Sequence, residues 1–252
     1  YKLDYVCSAS EQQKNEIVEI YDIDKDKIIA IGGGFNQDIF YFPEEKEYRD
    51  KVRLVFCGKI DPSKGIYELI DVYKSLDLED ISLDIIGNPD GENKEKIEEY
   101  IKDDNSIKLY NVKDQAALGD ELRKKDIFIM PSFYEGLGLI AIESLACGLY
   151  VVATEIEALM TLLGEEIKKS GIIKYVPLPR IYDVDKPVEE DLPKFKEDLK
   201  EALLCQIEKV RQERNCHKEM EDKIKSFSWE GLVAKMNDII NSLQNENSVP
   251  IV

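Results

Sequence analysis

Two glutamates eight residues apart, Glu135 and Glu143, lie in segment 131–148 (PSFYEGLGLIAIESLACG), and two lysines five apart, Lys59 and Lys64, lie in segment 57–65 (CGKIDPSKG). Carboxylates accept hydrogen bonds from vicinal hydroxyls, and ammonium groups neutralise phosphate oxygens. The combination therefore suits a ligand that is both polyhydroxylated and anionic. Gly136 and Gly138 let the backbone approach such a ligand closely, and a helix starting near Leu139 points its free N–H groups and positive dipole end at an anion. Leu139, Ile140, Ala141, Ile142, Leu145 and Ala146 make that helix apolar nearly all round, so a carboxylate inside it is costly without partners. Ribose hydroxyls would be suitable partners for Glu143; a structural glutamate bonded to backbone or to a nearby lysine is the plainer alternative. Glu135 could equally be a solvated loop residue, and Lys59 and Lys64 two solvated loop lysines.

These segments require a framework that brings loops together. Apolar runs at 54–57, 83–86, 107–110, 127–130 and 150–153 alternate with helical stretches, which predicts a parallel sheet in a doubly wound, Rossmann-like α/β domain. In such a domain ligands sit outside the carboxyl ends of the strands, where both loops fall. Ahead of it, residues 1–8 read as a strand, Ser8-x-x-Glu11 has the form of a capping box for a helix to about Tyr21, and a short strand at 27–31 leads into Gly32–Gly34. Pro177, Pro179 and Pro187 with Glu189, Glu190 and Asp191 mark a long surface connection before helices from about Pro193 to Ser226. A final helix, with Ser228 as its cap, carries Trp229, Leu232, Val233, Met236, Ile240 and Leu243 along one stripe, so it must pack on something, with Trp229 expected in a core. A frayed tail is expected after Gln244.

Segment 131–148 resembles the donor-site signature of family 4 glycosyltransferases of the GT-B fold, in which the two glutamates are spaced as Glu135 and Glu143 are. That resemblance implies that Glu135 contacts the donor sugar, that Glu143 binds the ribose, and that the backbone of Gly136, Leu137, Gly138 and Leu139 holds the phosphates. It extends to Gly58 and Lys59 followed by Lys64-Gly65, where the family pattern is Gly-Arg followed by Lys-Gly. Lys64 then falls on the phosphate-binding lysine, while Lys59 supplies a point charge where arginine would supply a fork. Segments 84–88 and 34–40 resemble further family loops, with Gly33 where asparagine is usual. Val112 and Lys113 stand where family members hold the nucleobase through backbone groups, and Thr154-Glu155-Ile156-Glu157 lacks the glycine pair often found at that strand end.

The resemblance implies the donor-binding portion of a retaining glycosyltransferase that moves a hexosyl group from a nucleotide diphosphate sugar to an acceptor. The donor is then a substrate, and neither a cofactor nor a metal is expected. Residues 1–28 would be the remnant of an N-terminal acceptor domain, 29–226 the nucleotide-sugar-binding domain, and 227–252 a C-terminal crossing helix and tail. Without the acceptor domain, the piece is expected to bind donor but not to transfer, and its apolar stripe could be covered by a homodimer. The alternatives are a noncatalytic nucleotide-sugar-binding partner protein of the same fold and a GT-B epimerase.

Composition restricts the remaining classes. With 52 acidic against 34 basic residues the formal charge is −18, which argues against nucleic acid or an anionic membrane surface as partner. Residues 1–252 show neither a run of about 18 apolar residues nor a charged n-region followed by an apolar h-region, and the five scattered cysteines (Cys7, Cys57, Cys147, Cys205, Cys216) read as buried thiols of a reducing compartment. A cytoplasmic location is therefore expected, and the resemblance implies that the intact protein could touch the inner membrane face through its other domain. The single histidine, His217, is expected to face solvent in a charged helix.

Overall fold

The computed structural model describes residues 5–46, 50–89, 91–212 and 218–246. Among the described residues the strands are β1 (Val6–Ser8), β2 (Ile28–Ala30), β3 (Val52–Cys57), β4 (Ile81–Ile86), β5 (Ile107–Tyr110), β6 (Ile127–Met130), β7 (Tyr150–Thr154), β8 (Ile173–Val176), β9 (Ile181–Tyr182) and β10 (Lys186–Pro187). The helices are α1 (Glu11–Tyr21), α2 (Ile66–Ser75), α3 (Gly91–Ile101), α4 (Gln115–Arg123), α5 (Leu139–Ala146), α6 (Glu157–Ser170), α7 (Leu192–Gln212), α8 (Glu221–Lys225) and α9 (Trp229–Glu246).

Runs rich in Val, Ile and Leu, such as those of β3, β4, β6 and β7, suit strands covered on both faces, and almost all of these residues are buried. They form one six-stranded parallel sheet in the order β5-β4-β3-β6-β7-β8, with helices packed against it. This is the predicted doubly wound α/β architecture. The chain moves outward from β3 through β4 to β5, then returns to place β6 on the other side of β3. The loops after β3 and β6 therefore leave the sheet side by side, at its topological switch point.

Outside this sheet, β1 and β2 pair in parallel around α1, so the division expected after residue 28 falls inside β2. The cap of α1 is Ser10, not Ser8: Ser10 Oγ accepts the Gln13 N–H at 3.1 Å, and Gln13 Oε1 accepts the Ala9 N–H at 2.7 Å. Ser8 is held in β1 by its pairing with Ala30, which leaves the turn into the helix two residues later. The proline-containing connection after β8 carries a hairpin, β9–β10, braced by the Arg180 guanidinium on Asp191. The helical stretch expected to Ser226 consists of α7, a turn at Lys218–Met220 and α8. His217 and Cys216 lie outside the described residues.

Ser228 caps α9 as expected, its Oγ accepting the Gly231 N–H at 3.2 Å. Trp229 is not a core residue: it is 51% exposed, as Val233 and Ile240 largely are, and among the described side chains of the stripe only Leu232 is buried. A stripe can be read from spacing, but the surface that meets it cannot. The side chain of Leu243 lies outside the described residues, and α9 continues to Glu246, two residues past the expected fraying point. The thiols also depart from expectation, since Cys147 is buried and Cys57 half-buried whereas Cys7 and Cys205 are exposed. No helix among the described residues is long and apolar enough to cross a membrane.

Candidate functional site

The loop after β3 and the loop after β6 are locked together through their backbones. Asp61 caps the short turn Pro62–Lys64, with Oδ1 accepting from Ser63 N at 3.0 Å and from Ser63 Oγ at 2.7 Å. The Ser63 hydroxyl foremost, with the Ser63 N–H and Lys59, holds the Asp61 carboxyl below its usual range despite partial burial. Phe133 N–H donates to Ser63 O at 2.9 Å across the gap. Gly65 has φ +63°, and a Cβ there would lie 2.1 Å from Pro131 O, so only glycine permits this approach.

The juxtaposition places predicted residues from distant parts of the chain around one cleft of about 280 Å³, lined by Phe56, Cys57, Gly58, Lys59, Lys64, Met130, Ser132, Glu135 and Ile140. Lys64 Nζ donates to Glu135 Oε1 at 2.9 Å and to Tyr134 O at 3.0 Å. Ser132 Oγ donates to the same Glu135 oxygen at 2.8 Å. Lys59 is 65% exposed at its side chain and lies 3.4 Å from Asp61 Oδ2. Two helices start close by: α2 follows Gly65, next to cleft residue Lys64, and α5 follows Gly138, two residues before cleft residue Ile140; both glycines are left-handed, and neither offers a side-chain cap. Uncapped N–H groups of two helices beside two lysines make a site receptive to an anion.

Glu143 does not line the cleft directly. It stands on α5, one turn from Ile140, and close enough to Cys57 for its charge to help burial push that thiol up to about 12. Burial also pushes the Glu143 carboxyl itself up to about 7, and no hydrogen bond or ion pair holds it among the described residues. The alternative of a structural glutamate tied to backbone or lysine therefore finds no support in the contacts.

The remaining expected residues are less gathered. Gly136 is open to solvent, with nothing within 4 Å of a Cβ built on it. Leu137 and Leu139 lean on Gly33, where a Cβ would meet Leu137 Cδ2 at 2.6 Å. The glycine that stands in place of the family's asparagine thus makes room for the loop after β6. Val112 N–H is taken by the Asn111 side chain at 2.9 Å, Lys113 is exposed, and neither lines the cleft. Ser132, 1% exposed, and Cys57 are cleft residues that were not singled out beforehand. Ser132 lies three positions before Glu135 in the same glycine-rich loop, so a turn that returns its hydroxyl onto that carboxylate was the available signal.

A parallel α/β sheet with lysines and carboxylates gathered at its switch point is a doubly wound fold with its polar cleft where such sheets take ligands. The chain belongs to the family described as glycosyl transferases group 1, whose profile matches residues 37–177, more than half of its length. An uncharacterized glycosyltransferase of Methanocaldococcus jannaschii is 27% identical over 244 residues, covering 96% of this chain and 60% of that protein. D-inositol 3-phosphate glycosyltransferase 2 of Catenulispora acidiphila is 25% identical over 181 residues, 64% of this chain and 42% of that protein. The chain thus spans less than two thirds of the length of these relatives.

Among solved structures, sucrose-phosphate synthase of Thermosynechococcus elongatus superposes with a TM-score of 0.73 at 20% identity, over 97% of this chain and 59% of that one. The HepE protein of Anabaena, solved in complex with UDP and glucose, gives 0.71 at 14% identity, over 95% of this chain and 63% of that one. The shared architecture is the Rossmann-like GT-B glycosyltransferase fold.

Proposed function

We propose that this chain is the donor-binding, C-terminal half of a retaining family 4 glycosyltransferase, and that the intact protein moves a hexosyl group from a nucleotide diphosphate sugar to an acceptor. The observation that carries the reading is the meeting of Lys59, Lys64, Gly58 and Glu135 around one cleft between two uncapped helix N-termini, with unpartnered Glu143 beside it. On this reading the N–H groups of segment 136–139 and of the α2 start, together with both lysines, stabilise the charge that gathers on the departing diphosphate. Glu143 accepts from the ribose hydroxyls, Glu135 orients the sugar, and backbone around Val112 and Lys113 borders the base. Acceptor-binding groups belong to a further domain of the intact protein, toward which α9 crosses. A cytoplasmic setting and a donor substrate without a resident cofactor complete the proposal.

The test is a thermal-shift panel of nucleotide diphosphate sugars against this chain, Lys64→Ala and Glu143→Ala. One donor at 100 times its Kd raises stability by about 2.7 kcal/mol in the wild type, and both variants lose the shift. No shift with any donor at millimolar concentration would overturn the reading. A second reading, a noncatalytic nucleotide-sugar-binding partner of the same fold, draws on Lys59, which turns to Asp61 and offers one charge where a forked guanidinium is usual. Donor hydrolysis or transfer by the intact protein separates the two.

A further inference from the structure

We infer that Ser132 is a positioning residue that anchors Glu135, so that Lys64 can leave Glu135 for the donor's diphosphate while the carboxylate stays aimed at the sugar. The inference rests on the donor-site reading above. Glu135 Oε1 receives both Lys64 Nζ, at 2.9 Å, and Ser132 Oγ, at 2.8 Å. A diphosphate entering between the helix N-termini competes for the lysine, because an ammonium prefers two phosphate charges to one carboxylate. Once Lys64 turns to the phosphates, one of Glu135's two ties in the ligand-free site is gone.

Ser132 is the tie that remains. Ser132 is 1% exposed, and its hydroxyl comes from backbone fixed on both sides: Pro131 O packs against Gly65, and Phe133 N–H is bonded to Ser63 O. Lys64 is reachable from the cleft, with a side chain 22% exposed on its wall, and turns to the phosphates by giving up Glu135 and Tyr134 O. The arrangement orders the two recognition events. Phosphate binding releases the carboxylate from its cation, and Ser132 holds the freed group where a sugar hydroxyl can donate to it. A free nucleoside diphosphate therefore has to displace Lys64 from Glu135 without the return that a sugar hydroxyl provides.

Calorimetric titration with matched pairs (UDP and UDP-glucose, GDP and GDP-mannose, ADP and ADP-glucose) tests this on the whole chain. For the pair that binds, Ser132→Ala leaves diphosphate affinity within about twofold and cuts the sugar-donor preference over the diphosphate by about tenfold, the loss expected for one hydrogen bond to a charged group. Glu135→Gln tightens the diphosphate by roughly two- to tenfold, since the rival for Lys64 and a like charge are removed together, while abolishing the preference. Ser132→Thr, which keeps the hydroxyl, restores the preference. If Ser132→Ala weakens both ligands equally, or Glu135→Gln weakens the diphosphate, the inference is wrong while the donor site stands. If no pair binds the wild type, the site itself has been misassigned and the inference falls with it.

Discussion

Glu143 has a folded-state pKa of about 7 against 4.5 for the free side chain, and burial is the cause. Between those values the folded chain keeps a proton that the unfolded chain has released. The group therefore makes stability fall as pH rises from about 4.5 to about 7, and level off above. Discounted for its partial exposure, the cost at pH 8 is about 1–3 kcal/mol. Urea unfolding should show Glu143→Gln more stable than wild type by that amount at pH 8, and the two alike near pH 4.5. A variant less stable at both values would mean that Glu143 has an internal partner. The proposed ribose contact reverses the preference, because hydroxyls donate to the ionised carboxylate. Donor binding should thus weaken as pH falls below 7, and release a proton measurable by calorimetry in buffers of different ionisation enthalpy.

At the level of loops and helices, two glycines divide structure from ligand contact. Gly65→Ala puts a methyl 2.1 Å from Pro131 O at φ +63°, and should cost about 2–4 kcal/mol and abolish donor binding with it. Gly136→Ala meets nothing within 4 Å, so its melting temperature should stay near wild type while donor affinity falls, if phosphates lie on that backbone. A Gly136→Ala chain that binds donor normally removes the 136–139 backbone from the phosphate site. Much of this loop geometry was legible in the sequence because β3, β4, β6 and β7 are dense in Val, Ile and Leu, with Gly58 and Gly87 directly after β3 and β4 and Pro131 after β6. Strand β8 escaped because Ile173–Val176 carries an exposed Lys174 and follows a helix ending at Ser170 with little polar punctuation between. The contact between Lys64 and Glu135 was not legible at all, since it depends on the switch point bringing loops 71 residues apart into register. Trp229 failed for a related reason: amphipathic spacing specifies a face and leaves its partner open.

Over the whole chain, the formal charge of −18 opposes the approach of an anionic donor, whereas Lys59 and Lys64 attract it locally. The two effects act over different distances. Once a phosphate is within a few ångströms of Lys64, salt screens their attraction only partly; the repulsion from the remaining acidic surface extends over tens of ångströms and is screened beyond about 10 Å at 0.1 M ionic strength. At about 0.01 M the screening length grows to about 30 Å, and the unfavourable field reaches an incoming donor long before the lysines do. The association rate of a nucleotide diphosphate sugar should therefore rise as salt is added from about 10 to 150 mM, opposite in sign to an anion site on a basic protein. Stopped-flow measurement with a fluorescent nucleotide analogue reads the rate directly. A rate that falls steadily with salt would mean that local lysines govern encounter as well as capture, and that the acidic surface is turned away from the mouth of the cleft.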